Sequence, residues 1–251
     1  MMEALFWKML HHLQNQFPGF GPSGRYKGLP RRFKKTIHSI DSSTIALVAN
    51  CMNWAKHRRR KAAAKLHLRL NLQTFLPGFA VIEEASHHDS SRMIALCACL
   101  QEGEIAVFDK AYVHFKHLFS LTQRSVHWVT RAKGNMSYHV CKRGKVSGSI
   151  MRDDEITLKT KKSGKEYPQR LRRIVARVKV DGKEVEMVFI TNNFSWAASS
   201  VCDLYQSRWA IEVFFKQIKQ TLQICDLVRF TSCPVLSLRS ELGHSKQAIR
   251  W

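Results

Sequence analysis

The chain has 251 residues, with 41 Lys and Arg against 19 acids and a formal charge of +22. A hydrophobic share of 45%, including 14 Phe and 6 Trp, is enough to build a core and argues against global disorder. The charge draws the chain to polyanions, nucleic acid first, because neutralising phosphates releases counterions; no apolar run approaches the roughly 18 residues of a membrane span, and seven scattered cysteines form neither a disulfide ladder nor a paired zinc motif, which fits a reducing cytosol.

In chain order, residues 1–33 read as a short amphipathic helix, MMEALFWKMLHHL, followed by a Gly/Pro-rich basic linker, FPGFGPSGRYKGLPRR. Glu3 and Lys8 interrupt the apolar run and no small-residue cleavage site follows, so the segment does not read as a secretory leader. The stretch KKTIHSIDSSTIALV predicts a strand with Asp41 at its middle or end. Leu66, Leu68, Leu70 and Leu72 alternate along a second strand, and FAVIEEA, after the turn signal Pro77-Gly78, gives a third. DSSRMIALCACLQEG predicts a helix closed by Gly103, with Asp89 or Ser90 as cap; the neighbouring His87 and His88 point to different faces and read as a helix start rather than a metal site.

From residue 104 strand and helix alternate: a buried strand ending at Asp109, a helix over HFKHLFSLTQR, and a strand over VHWVTRA. This order predicts an α/β layout with helical crossovers. Residues 132–186 break the pattern with short alternating stretches, many Lys, Arg and Gly, and the hairpin signal Asp181-Gly182, and read as a β-rich basic insertion. The chain then returns to a strand, EMVFITNN, and to a helix starting near Ser195 or Ser199 that contains YQSRWAIEVFFKQIK.

At about 100° per residue, Tyr205, Arg208, Glu212, Lys216 and Lys219 fall within an arc of roughly 80° and form one polar stripe. Leu204, Ile211, Phe215, Ile218 and Leu222 form an apolar stripe beside it, so the polar one runs along the edge of a core. Ion pairing of Glu212 with Arg208 and Lys216 accounts for the helix equally well on its own.

Three acids each end or interrupt an apolar stretch: Asp41, Asp109 and Glu212. If the first and fourth strands are neighbours, Asp41 and Asp109 lie side by side, and Glu212 on a helix at that edge completes a trio. Three like charges are poor neighbours without a cation, and hard divalent ions take such oxygen ligands. Two ions about 3.5–4 Å apart suit phosphodiester chemistry. Each acid also has a structural reading: Asp41 as a turn or cap with Ser42 and Ser43, Asp109 as a partner of Lys110 or Lys133.

The set IDSSTI, FDKAY, VTRAKGN, TNNF and YQSRWAIEVFFKQIK resembles the DDE-type transposases of bacterial insertion sequences, in the group with a YREK signature, whose four spacings Tyr205, Arg208, Glu212 and Lys219 fit. The resemblance covers most of the chain, to about residue 229. It implies a ribonuclease-H-like mixed sheet with flanking helices, interrupted by the β-rich insertion: a catalytic core in two parts, 34–131 and 187–229. It also implies Asp41, Asp109 and Glu212 as a triad for two Mg²⁺ or Mn²⁺ ions. Arg208 and Lys219, supported by Tyr205, would contact phosphates of the transposon end. The expected partners are double-stranded DNA, as transposon ends and target, and a second copy of the chain in a dimer on DNA, in the bacterial cytoplasm with the nucleoid and without a membrane. Lys216, the basic run with Arg58, Arg59 and Arg60, and QRLRR (169–173) would add DNA contacts or form only a solvated charged face; Trp128 and Trp196 are candidates for base stacking or for the core.

The sequence departs from that family at both ends. It starts close to the linker before the core, and the tail over 230–251, TSCPVLSLRSELGHSKQAIRW, reads as divergent or truncated. Two alternatives to an active transposase therefore stand: a remnant that binds DNA without cutting it, and a general metal nuclease of the same fold.

Overall fold

Alternating leucines in KAAAKLHLRLN and β-branched residues in IHSIDSSTIAL make two strands, with Leu68, Leu70 and Ile37 in the core on one face and Ile40 in the core on the other. In the computed structural model, which describes residues 33–47, 56–57, 61–84, 92–180, 182–221 and 249–250, β1 (Ile37–Leu47) pairs antiparallel with β3 (Lys61–Asn71), and the two-residue β2 (Lys56–His57) pairs with the start of β3. β4 (Pro77–Glu84) follows antiparallel to β3. The intervening turn is set by Asn71, whose side chain accepts from the N–H groups of Gln73 and Thr74. Pro77-Gly78, expected as the turn, instead opens β4, where proline at a first strand position is tolerated.

β5 (Ile105–Phe108) lies parallel to β1 on its other side, and β6 (His127–Arg131) lies parallel to β5. All four residues of β5 are buried, as expected of a central strand covered on both faces. β10 (Lys183–Thr191) joins β6 antiparallel and continues outward through β9 (Leu171–Val180), β8 (Ile150–Leu158) and β7 (Tyr138–Arg143). With the short β11 (Ile249–Arg250) on β4, the order is β11-β4-β3-β1-β5-β6-β10-β9-β8-β7. Three antiparallel strands continued by two parallel ones, between helical layers, match the expected ribonuclease-H-like layout.

Residues 132–186, expected as an insertion, thus extend the central sheet, and β10 runs from them into the strand beside β6. β9 and β10 form the expected hairpin, with Val180 opposite Lys183 and Gly182 at φ +78°; Asp181 lies outside the described residues.

Helices cover both faces. α1 (Met93–Cys97) and α2 (Phe115–Gln123) pack on one face, around Met93, Leu96, Phe108, Leu118, Leu121 and Trp128. α4 (Ala198–Ser207) and α5 (Trp209–Thr221) pack on the other, where Val201, Leu204, Ile211 and Phe215 meet Ile37, Leu68, Val107 and Phe189. α3 (Lys161–Glu166) is a helical turn inside the insertion, which was expected to be β-rich, and starts at Thr160, whose hydroxyl accepts from Ser163 N–H.

α1 is shorter than its sequence pattern suggests. The Arg124 guanidinium donates to the carbonyls of Cys97, Ala98 and Leu100 and so ends the helix from outside. Gly103 closes the following turn at φ +78°. Among the described residues, no helix is long and apolar enough to cross a membrane. The N-terminal helix and linker, Arg58, Arg59, Arg60, the histidine pair at 87–88, Leu222 and all of the tail but Ile249 and Arg250 lie outside the described residues.

Candidate active site

The register of two parallel strands decides where the first two acids fall. Ile40 of β1 sits opposite Phe108 of β5, so the next residues, Asp41 and Asp109, leave the pair side by side. Ile40 and Phe108 both belong to the core under α1 and α2, while Ile37 and Val107 belong to the other one. Alternation along a strand then turns Asp41 and Asp109 toward the face covered by α4 and α5. This is the face that Glu212 approaches from the first turn of α5.

What joins the acids is Arg208. Its Nη1 donates to Asp41 Oδ2 at 2.6 Å and its Nη2 to Glu212 Oε1 at 2.5 Å. The residue stands at the junction of α4 and α5, where Arg208 N–H reaches Tyr205 O and Ile211 N–H reaches Arg208 O, both three residues apart. The expected single helix is therefore pinched at Arg208, a local tightening. Ser39 Oγ donates to the Arg208 carbonyl at 3.4 Å and ties the pinch to β1.

Asp109 is held differently. Its Oδ1 accepts from Ala111 N–H at 3.0 Å, capping the 3₁₀ turn Lys110–Tyr112, and its Oδ2 accepts from the Tyr205 phenol at 3.3 Å. Burial pushes the Tyr205 hydroxyl up to about 12, so it stays a donor. Lys133, one expected partner of Asp109, donates to the Val113 carbonyl instead. Asp41 accepts from Ser42 N–H at 2.8 Å. Burial raises the Asp41 carboxyl to about 6; Arg208 and the Ser42 N–H oppose this, and Glu212 and Asp109 add to it. Burial works against the Arg208 charge, but Tyr205, Asp41 and Glu212 outweigh it and hold its pKa above the usual arginine value.

Asp41, Ser42, Glu212, Lys216 and Lys219 line an open groove of about 570 Å³. The two lysines are exposed on the groove wall, whereas Arg208, with 13% of its side chain exposed, faces inward. In donor chemistry the three carboxylates fit a hard divalent cation. In geometry they do not form a finished cage: among the described residues no three Asp, Glu, His or Cys side chains converge at ligand positions, and a guanidinium lies between two of the three acids.

Other expected contacts resolve into structural roles. Arg172 makes a two-pronged pair with Asp153 (2.8 and 2.7 Å) and donates to the Trp196 carbonyl at 2.6 Å; Arg173 faces Asp154 at 3.7 Å and lies over the Tyr138 ring. Trp128 is fully buried and donates to Thr122, and Trp196 packs on Phe33 and His127. Among the described residues, the exposed indole is that of Trp209, at 62%. Helical spacing places it about 40° from Tyr205, at the edge of the polar stripe, a position the sequence pattern already contained.

A family model for the transposase DDE domain matches residues 32–231. The chain belongs to that family. A "Probable transposase for insertion sequence element IS5377" of Geobacillus stearothermophilus is 29% identical over 226 residues, 88% of this chain and 57% of the relative. The "Putative transposase y4zB" of Sinorhizobium fredii is 28% identical over 225 residues, 88% of this chain and 58% of the relative. The "Putative transposase for insertion sequence element IS4SA" of Synechocystis is 22% identical over 201 residues, 76% of this chain and 53% of the relative. The chain thus spans somewhat more than half the length of each of these relatives.

Proposed function

We propose that this DDE transposase domain cleaves DNA at the ends of an insertion sequence and joins the freed 3′-hydroxyl to target DNA, with Asp41, Asp109 and Glu212 as the acids that hold Mg²⁺ or Mn²⁺. The observation that carries the reading is the side-by-side exit of Asp41 and Asp109 from β1 and β5, facing the helix that bears Glu212. Bound divalent ions would supply Lewis-acid activation of the attacking and leaving oxygens. The chain's own residues do the rest. Ser42 N–H fixes one oxygen of Asp41, and the Tyr205 phenol and Ala111 N–H fix Asp109. Lys216 and Lys219 hold backbone phosphates along the groove, and Trp209 offers an exposed face for a displaced base. The partners are double-stranded DNA and a second copy of the chain, and the place of action is the bacterial cytoplasm, at the nucleoid.

The test is a labelled duplex carrying one element end, incubated with the purified protein and Mg²⁺. Cleavage is expected, and each of Asp41→Ala, Asp109→Ala and Glu212→Ala abolishes it; equal cutting by all three variants refutes the assignment. A second reading, a chain that holds DNA without cutting it, draws on the Arg208 guanidinium that lies between Asp41 and Glu212. Salt-dependent binding with no metal-dependent nicking supports that reading.

A further inference from the structure

Arg208 cannot hold Asp41 and Glu212 through both terminal nitrogens and at the same moment grip a phosphate in the groove with the same atoms. Its side chain is mostly enclosed, and its Nε is buried without a hydrogen-bond partner. A buried donor left unmatched costs free energy, so the inward position is held by the two carboxylates and not by a complete fit. Those carboxylates are the ones a hard divalent ion would take.

We propose that Arg208 is a built-in counter-cation: it occupies the place of the metal between Asp41 and Glu212, a divalent ion displaces it, and the released guanidinium turns outward to a DNA phosphate. This rests on the reading of Asp41 and Glu212 as metal ligands. The exchange is balanced in charge type, since an organic cation leaves the acids as an inorganic one arrives, and three carboxylates are never left together without a positive neighbour. The pinch at Arg208 suits the movement. The side chain springs from the junction of two helices, where its backbone is tied to β1 by Ser39, so the guanidinium can change partners while the helices stay seated on Leu204, Ile211 and Phe215. A guanidinium is also the group best matched to two oxygens, of a carboxylate pair before exchange and of a phosphate after it.

The experiment titrates the full chain with Mn²⁺ in the absence of DNA, following free Mn²⁺ by electron paramagnetic resonance. Arg208→Gln removes the competitor and is expected to tighten Mn²⁺ binding about tenfold or more, with Arg208→Lys between it and the wild type. Asp41→Ala serves as control and is expected to lose binding. Unchanged or weaker Mn²⁺ binding in Arg208→Gln, with Asp41→Ala still defective, overturns the exchange while leaving the ligand assignment intact. Binding that is indifferent to Asp41→Ala, or absent from every protein, overturns both. A second measurement needs no variant: an arginine-selective dicarbonyl reagent, read by mass spectrometry, is expected to modify Arg208 several-fold faster once Mn²⁺ is added. An unchanged rate in a protein that binds Mn²⁺ overturns the proposal.

Discussion

The Tyr205 phenol donates to Asp109 across 3.3 Å, so the helix that precedes Glu212 also steadies an acid at the end of β5. The ring itself is buried against Phe189, which separates packing from hydrogen bonding. Tyr205→Phe keeps the ring and removes the donor. We expect a stability loss of about 1 kcal/mol and a fall in metal-dependent cleavage on the order of tenfold or more, as for other partners that orient ligands. Denaturation and single-turnover cleavage measured on the same preparation check both; full activity in the variant refutes the positioning role.

Asp41 gives a pH signature in metal-free protein. Burial raises its carboxyl from 3.8 to about 6, so the folded chain keeps a proton that the unfolded chain has already released. Stability from this group is therefore highest below about pH 4, falls as pH rises toward 6, and is flat above. Relative to Asp41→Asn, the wild type is expected to lose up to about 3 kcal/mol across that window. Urea denaturation of both proteins in chelator from pH 4 to 7.5 reads the difference, and a pH-independent gap contradicts it.

Lys216 and Lys219 project from the groove wall. The double variant Lys216→Ala, Lys219→Ala is expected to weaken DNA binding at all sequences alike and to lower the slope of log affinity against log salt by about 2, one for each lost phosphate contact. Thermal stability should hardly change. An unaltered salt slope would place the DNA elsewhere.

Arg172 lies on β9 and holds Asp153 of β8 and the Trp196 carbonyl just before α4. Arg172→Ala leaves Asp153 partly buried without its cation, for an expected loss of about 3–5 kcal/mol. The double variant Arg172→Met, Asp153→Leu should recover much of that, because both charges go together. A double variant no more stable than the single one argues that the Trp196 carbonyl contact, not the ion pair, dominates.

Much of this site was legible in the residues themselves. Asp41 and Asp109 each break an apolar strand pattern, but that their strands are neighbours was only a condition, which the pairing of β1 with β5 meets. The spacing of Tyr205, Arg208, Glu212 and Lys219 gave their common side. Helical spacing supplies an azimuth but no partner, however, and so it did not show that Arg208 turns inward to β1 or that Tyr205 is buried against β10. The ending of α1 was hidden for a similar reason: Arg124, which caps it, is more than twenty residues away in the chain. In QRLRR, the charges looked available for DNA because their acids, Asp153, Asp154 and Glu155, sit on a separate strand. Trp209 was readable from its place on the wheel, but an indole in an amphipathic helix suggests the interior until its exposure is seen.

The unbroken sheet has a mechanical corollary. β10 runs as one rod from the hairpin tip at Gly182 to Thr191, whose hydroxyl grips the Trp128 carbonyl, and Arg172 clamps the neighbouring strands to the loop that launches α4. The outer strands and the loop before the helix that carries Tyr205 thus share one anchor, the Arg172 guanidinium.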